Sequence, residues 1–274
     1  MSEHGLTVGF GAALLEQLRW FWHRLWIWIV IVTVLTAGAS AWIISSIPDT
    51  EGEEGPMIAT MLVGNAFHPL LVLIAISWAL SAWRDDPPKE RQYFWLHPVN
   101  RTAHVVARSL AGFIWLVLVM AIVIATTVIS ANVFLGGAPG LDAPRIWGFA
   151  VASIALAYIS SSIAPILSDR PAIWIILVVA LVIIAGVIAD IRDLAWLQRG
   201  LDVLTGGARS FGTALGAPGY AAAHAVMGAV PEAGSMDVPQ MDRIMSAQPG
   251  DALLIWLPIS IVAFLGSALI SRPR

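Results

Sequence analysis

The chain has 274 residues, 58% of them hydrophobic and only 12% charged, with a mean hydropathy of +0.80. A soluble domain carries about 25% charged residues, so this composition excludes a water-soluble globule and makes lipid the main solvent. A net charge of −3 excludes a basic nucleic-acid surface, and the lack of cysteine excludes disulfides, thiolate nucleophiles, iron–sulfur clusters and zinc thiolate sites.

Near the N-terminus Leu6, Phe10, Leu14 and Leu18 recur every four residues, with Glu16, Gln17 and Arg19 between them. That spacing predicts a short helix lying in the membrane interface. The aromatic run Trp20-Phe21-Trp22 continues to Trp26 and Trp28 as an interfacial anchor, and anchoring and packing account for the 13 tryptophans.

Six apolar stretches follow: Leu25 to Ile47, Met57 to Trp83, Val105 to Leu135, Ile146 to Leu167, Ala172 to Ala189 and Ala252 to Ile270. Each meets or approaches the roughly 20 residues that cross about 30 Å of hydrocarbon. The runs are continuous rather than alternating, so they predict helices, not barrel strands. The expected fold is therefore an all-α polytopic membrane protein with six transmembrane helices. Pro69, Pro165 and Pro258 fall inside spans, where a bend or boundary is expected. Arg24, the first apolar run and Ala37-Gly38-Ala39-Ser40-Ala41 imitate a signal peptide, but the run continues through Trp42-Ile43-Ile44, which predicts an uncleaved first span.

An even number of spans puts both termini on one side. Arg19, Arg24, Arg84, Lys89, Arg91, Arg101, Arg108, Arg170, Arg272 and Arg274 fall on that side; Arg145, Arg192, Arg199, Arg209 and Arg243 fall opposite. The excess of positive charge predicts cytoplasmic termini and a place in the inner (cytoplasmic) membrane.

The connections 48–56, 136–145 and 168–171 are short turns. The cytoplasmic loop 84–104 is longer: Pro87 and Pro88 suit the start of a short helix ending near Leu96, with Lys89, Glu90 and Arg91 wet and Tyr93, Phe94, Trp95 and Leu96 apolar. Such a helix docks into a partner or rests on lipid headgroups. The outer loop, residues 190–251, carries Leu194, Leu197, Leu201 and Leu204 at helical spacing, predicting an interfacial helix up to Gly206-Gly207 and a second short one from Tyr220 to Val230.

Several chemistries are absent. Lys89 is the only lysine and lies outside any Gly-Lys-Ser/Thr loop, so ATP hydrolysis would need another chain. A haem held by two histidines needs partners at one depth, whereas only His68 lies well within a span. His-Glu-x-x-His, paired intramembrane aspartates and a glycine-framed serine do not occur; Ser160-Ser161-Ser162 suits bonds back to its own helix or across a close helix contact. The middles of the spans lack Asp, Glu, Lys and Arg, which argues against an ion-driven carrier and favours an amphipathic or lipidic substrate. Asn65, His68, Thr126, Thr127, Ser130 and Asn132 are the polar residues available to line a path, with helix packing as their other role.

Leu96-His97-Pro98-Val99-Asn100-Arg101, followed by Arg108 at the mouth of span three, resembles a recurrent pattern of ABC-2 type transporter permeases. The correspondence lies in Leu96, Pro98, Val99, Arg101 and Arg108. The resemblance implies that residues 90–101 form the helix that couples the spans to a separate nucleotide-binding subunit, through Glu90, Arg91, Tyr93, Phe94, Trp95, Leu96, Pro98 and Arg101. It also implies an exporter working as a homodimer or related pair, no cofactor in this chain, and ATP and Mg on the partner ATPase. The outer loop is longer than the family's, and Gly234 to Gly250 departs from its pattern. A non-transporting membrane scaffold or accessory subunit is the alternative.

Overall fold

The computed structural model describes residues 10–46, 68–84, 101–135, 144–168, 194–229 and 249–270, with scattered positions of 173–188. Among these there is no strand. The helices are α1 (Phe10–Ser45), α2 (His68–Arg84), α3 (Arg101–Leu135), α4 (Pro144–Leu167), α5 (Ala195–Leu215), α6 (Ala217–Ala229) and α7 (Pro249–Ile270). α1, α3, α4 and α7 are each long and apolar enough to cross a membrane, and α2 contributes a shorter apolar helix, Pro69–Trp83. The first part of the expected second span, 57–67, lies outside the described residues, and the described positions within 173–188 are helical, apolar and mostly exposed.

α1 differs from the expected interfacial helix followed by a separate span. No proline interrupts Phe10–Ser45, and the segment is one unbroken helix of 36 residues. At 1.5 Å per residue it is about 54 Å long, well beyond a bilayer's hydrocarbon thickness. Its first turns pack on protein: Ala13, Gln17 and Phe21 are buried, and Leu14 and Leu18 lie against the core. Of the stripe that suggested a lipid surface, Leu14 and Leu18 are thus covered, α3 being the main neighbour of α1, while Phe10 stays exposed.

α4 is the centre of the bundle. Ser153 to Tyr158 are buried without a break, which needs neighbours on every side, and α2, α6 and α7 pack around it. α2 meets it through a stripe of Leu71, Ala75, Trp78, Ala79 and Ala82; the alanines let two backbones approach where lipid supplies no hydrophobic drive. Small hydroxyls in the bundle bond back to their own helix, the first of the two roles open to the serine run: Ser160 Oγ donates to Leu156 O at 2.6 Å and Ser162 Oγ to Tyr158 O at 2.8 Å.

The bundle has two distinct ends. At one, Trp83, Val105, Ile159, Ile163, Ile166, Phe264 and Ala268 cluster, so α2, α4 and α7 finish where α3 begins. At the other, Leu156, Ala214, Ala217, Ala252 and Leu253 cluster with Phe211 and Trp256, placing α5 and α6 against the starts of α4 and α7. α5 does not stop at Gly206-Gly207 but runs on to Leu215. Two helical glycines cost about 1 kcal/mol each, and packing outweighs them: Phe211 stacks edge-on against Trp256 at 5.3 Å, and Trp256 Nε1 donates to Ser210 Oγ at 3.1 Å. The turn comes at Gly216, whose N–H reaches Gly212 O at 2.9 Å. α4 and α7 continue through Pro165 and Pro258.

Candidate functional site

Arg108 is the most unusual side chain in the bundle. The sequence places it at the mouth of a span, yet it is 1% exposed, two turns into α3. Its Nε and Nη2 donate to Ala82 O at 3.0 and 2.7 Å. Ala82 lies near the end of the described helix α2, and the guanidinium gives its carbonyl a charge-assisted, two-pronged hydrogen bond. The cation also lies 4.4 Å from the ring centre of Trp20 and 5.3 Å from that of Trp83, inside cation–π range. One side chain on α3 thus grips the end of α2 and the first turns of α1.

The neighbouring turns of α3 are fastened too. Tyr158 Oη donates to Ser109 O at 3.0 Å, tying α4 to the turn that carries Arg108. Gly112 makes this possible: a Cβ there would collide with Tyr158 Oη and come within 3.0 Å of Phe21 Cζ. Trp115 Nε1 donates to Leu18 O at 3.2 Å, and its ring stacks on Trp22 at 5.1 Å. Gln17 Oε1, Trp78 Nε1 and Ser109 Oγ are buried without a hydrogen-bond partner among the described residues.

The expected coupling residues divide. Glu90, Arg91, Tyr93, Phe94, Trp95, Leu96 and Pro98 lie outside the described residues; Arg101 is the first residue of α3; Arg108 is at the clamp. The loop they belong to joins α2 to α3, the two helices that Arg108 binds together.

The polar residues available for a path fall, where they are described, on α2 and α3. Asn65 lies outside the described residues and His68 opens α2. Thr126 Oγ1 donates to Ile122 O at 2.8 Å, and Asn132 Nδ2 to Val128 O at 2.9 Å, both within α3. Thr127 Oγ1 likewise returns to Val123 O, and Ser130 is buried. No group of three His, Asp or Glu that could hold a metal occurs among the described residues.

Sequence reasoning missed the burial of Arg108 and its partners Trp20 and Trp83, which are far apart in the chain. The one signal was a basic residue embedded in Val105-Val106-Ala107-Arg108-Ser109-Leu110.

The fold and composition define a class, the helical membrane protein. Beyond that class, comparison with models of known families, with curated proteins and with solved structures finds no match to this chain.

Proposed function

We propose that the chain is the membrane-spanning subunit of an ATP-driven exporter of the ABC-2 type, working as a dimer with a separate ATPase. The observation that supports this reading is the clamp between Arg108, Ala82, Trp20 and Trp83. A loop that receives force from a partner needs stems that move together, and this clamp joins both stems of residues 85–100 to α1. In this reading six helices cross the membrane with cytoplasmic termini, α5 and α6 lie outside, and two copies form the path at their interface. ATP binding closes the partner subunits, the segment Glu90 to Arg101 is displaced, and α2 and α3 carry that displacement into the bundle.

The test is purification in mild detergent with identification of what accompanies the protein. A stoichiometric P-loop ATPase is expected. In that complex Trp95→Ala or Arg101→Ala should leave ATP hydrolysis running while transport falls. Copurification with other membrane subunits and no ATPase would replace this reading with that of a membrane scaffold.

A further inference from the structure

On α1 an open cleft of about 660 Å³ is lined by Glu16, Arg19, Trp20, His23 and Arg24. These residues recur at helical spacing and share one face. Arg19, His23 and Arg24 are exposed, and Trp20 is half-buried, held from beneath by its contact with Arg108 at 4.4 Å. His23 Nδ1–H donates to Arg19 O at 2.8 Å, which fixes the ring and leaves Nε2 on its outer edge.

The depth of this cleft follows from the tryptophans. Trp22 and Trp42 are 43% and 71% exposed, and the step of twenty positions from one to the other rises about 30 Å, the thickness of the hydrocarbon core. With those two at the interfaces, Arg19, His23 and Arg24 lie at headgroup level. The same helical face then continues along Ile27, Ile31 and Val34, all exposed and apolar. Cations above an exposed apolar stripe match an anionic headgroup above its acyl chain. The sign matches as well: on this face two arginines stand against one carboxylate.

From this arrangement we infer that the Glu16–Arg24 face of α1 is a binding site for one anionic phospholipid, with the phosphate between Arg19 and Arg24 and an acyl chain along Ile27, Ile31 and Val34. Arg108 contributes indirectly, by holding Trp20 in place. The site serves the membrane reading whether or not the chain transports anything.

Native mass spectrometry of the full-length protein, titrated with phosphatidylglycerol or phosphatidylcholine, tests it. The first phosphatidylglycerol should bind about tenfold more tightly than phosphatidylcholine. Arg19→Gln/Arg24→Gln should abolish that preference, and Arg19→Gln alone should reduce it by about threefold. Arg199→Gln/Arg209→Gln, an equal loss of charge on α5, should leave it intact. The inference is overturned by equal binding of the two lipids, by equal loss in the α5 variant, by unchanged binding in both α1 variants, or by displacement with millimolar inorganic phosphate. Displacement of the lipid by an acidic peptide with no loss of lipid selectivity elsewhere would reassign the cleft to a protein partner. Circular dichroism should show unchanged helicity in every variant, since the substituted arginines are exposed.

Discussion

Arg108 shows how a cation is accommodated in an apolar bundle. Its stem is packed, its head bonds the Ala82 carbonyl of α2 twice, and aromatic faces supply the remaining electrostatic contact. Lysine cannot reproduce this, because an ammonium has neither the planar fork nor the stacking face. Arg108→Lys and Arg108→Met should each destabilise the protein by about 2 kcal/mol, the scale of hydrogen bonds from a charged donor. Thermal unfolding in detergent would measure this, and an unchanged midpoint would show that the clamp contributes nothing. Gly112 offers a second test. Gly112→Val should cost about 1 to 3 kcal/mol by overpacking against Tyr158 and Phe21. Tyr158→Phe in that background should restore part of the loss by removing the hydroxyl that collides. The same reasoning explains why the tyrosine needs a glycine opposite it: its hydroxyl reaches Ser109 O only across a surface without a Cβ.

At the level of elements, α5 shows packing overriding local propensity. Gly206-Gly207 reads as a stop, yet the helix passes through because Phe211, Ala214 and Leu215 find partners on α7 and α4. Gly206 meets no atom within 4 Å of an added Cβ, so Gly206→Ala should stabilise the protein by up to about 1 kcal/mol, seen as a higher midpoint. Trp256→Phe removes the bond to Ser210 and should increase proteolysis within α5 while leaving α1 to α4 protected. α1 makes the converse point. Its periodicity was that of an amphipathic helix in either setting, and a helix cannot encode whether lipid or another helix will cover its apolar stripe.

Across the whole molecule, α1 and α3 start and α2, α4 and α7 finish at the end marked by Arg108, while α5 and α6 pack at the other. Sidedness can be read by labelling, because the chain has no cysteine of its own. His23→Cys and Asp202→Cys place single thiols on exposed positions near the two ends. A membrane-impermeant maleimide added to intact cells should label the second and reach the first only after permeabilisation. The reverse pattern would invert the topology and remove the coupling role proposed for residues 85–100.

The sequence by itself determined the solvent, the helical class and most helix positions. These rest on hydropathy and continuous apolar runs, which are local properties imposed by the need to satisfy every backbone group within lipid. It left the hydroxyls of Ser160 and Ser162 two choices, their own helix or a close neighbour, and the structure shows the first, a bond made over one turn. Only the tertiary structure decided that α4 is central, that Gln17 and Phe21 face protein, and that Arg108 is buried between Trp20, Trp83 and Ala82. Those facts depend on which helices become neighbours, and an uncharged apolar surface packs equally well against lipid or against another helix until small residues, a glycine and one guanidinium select the partner.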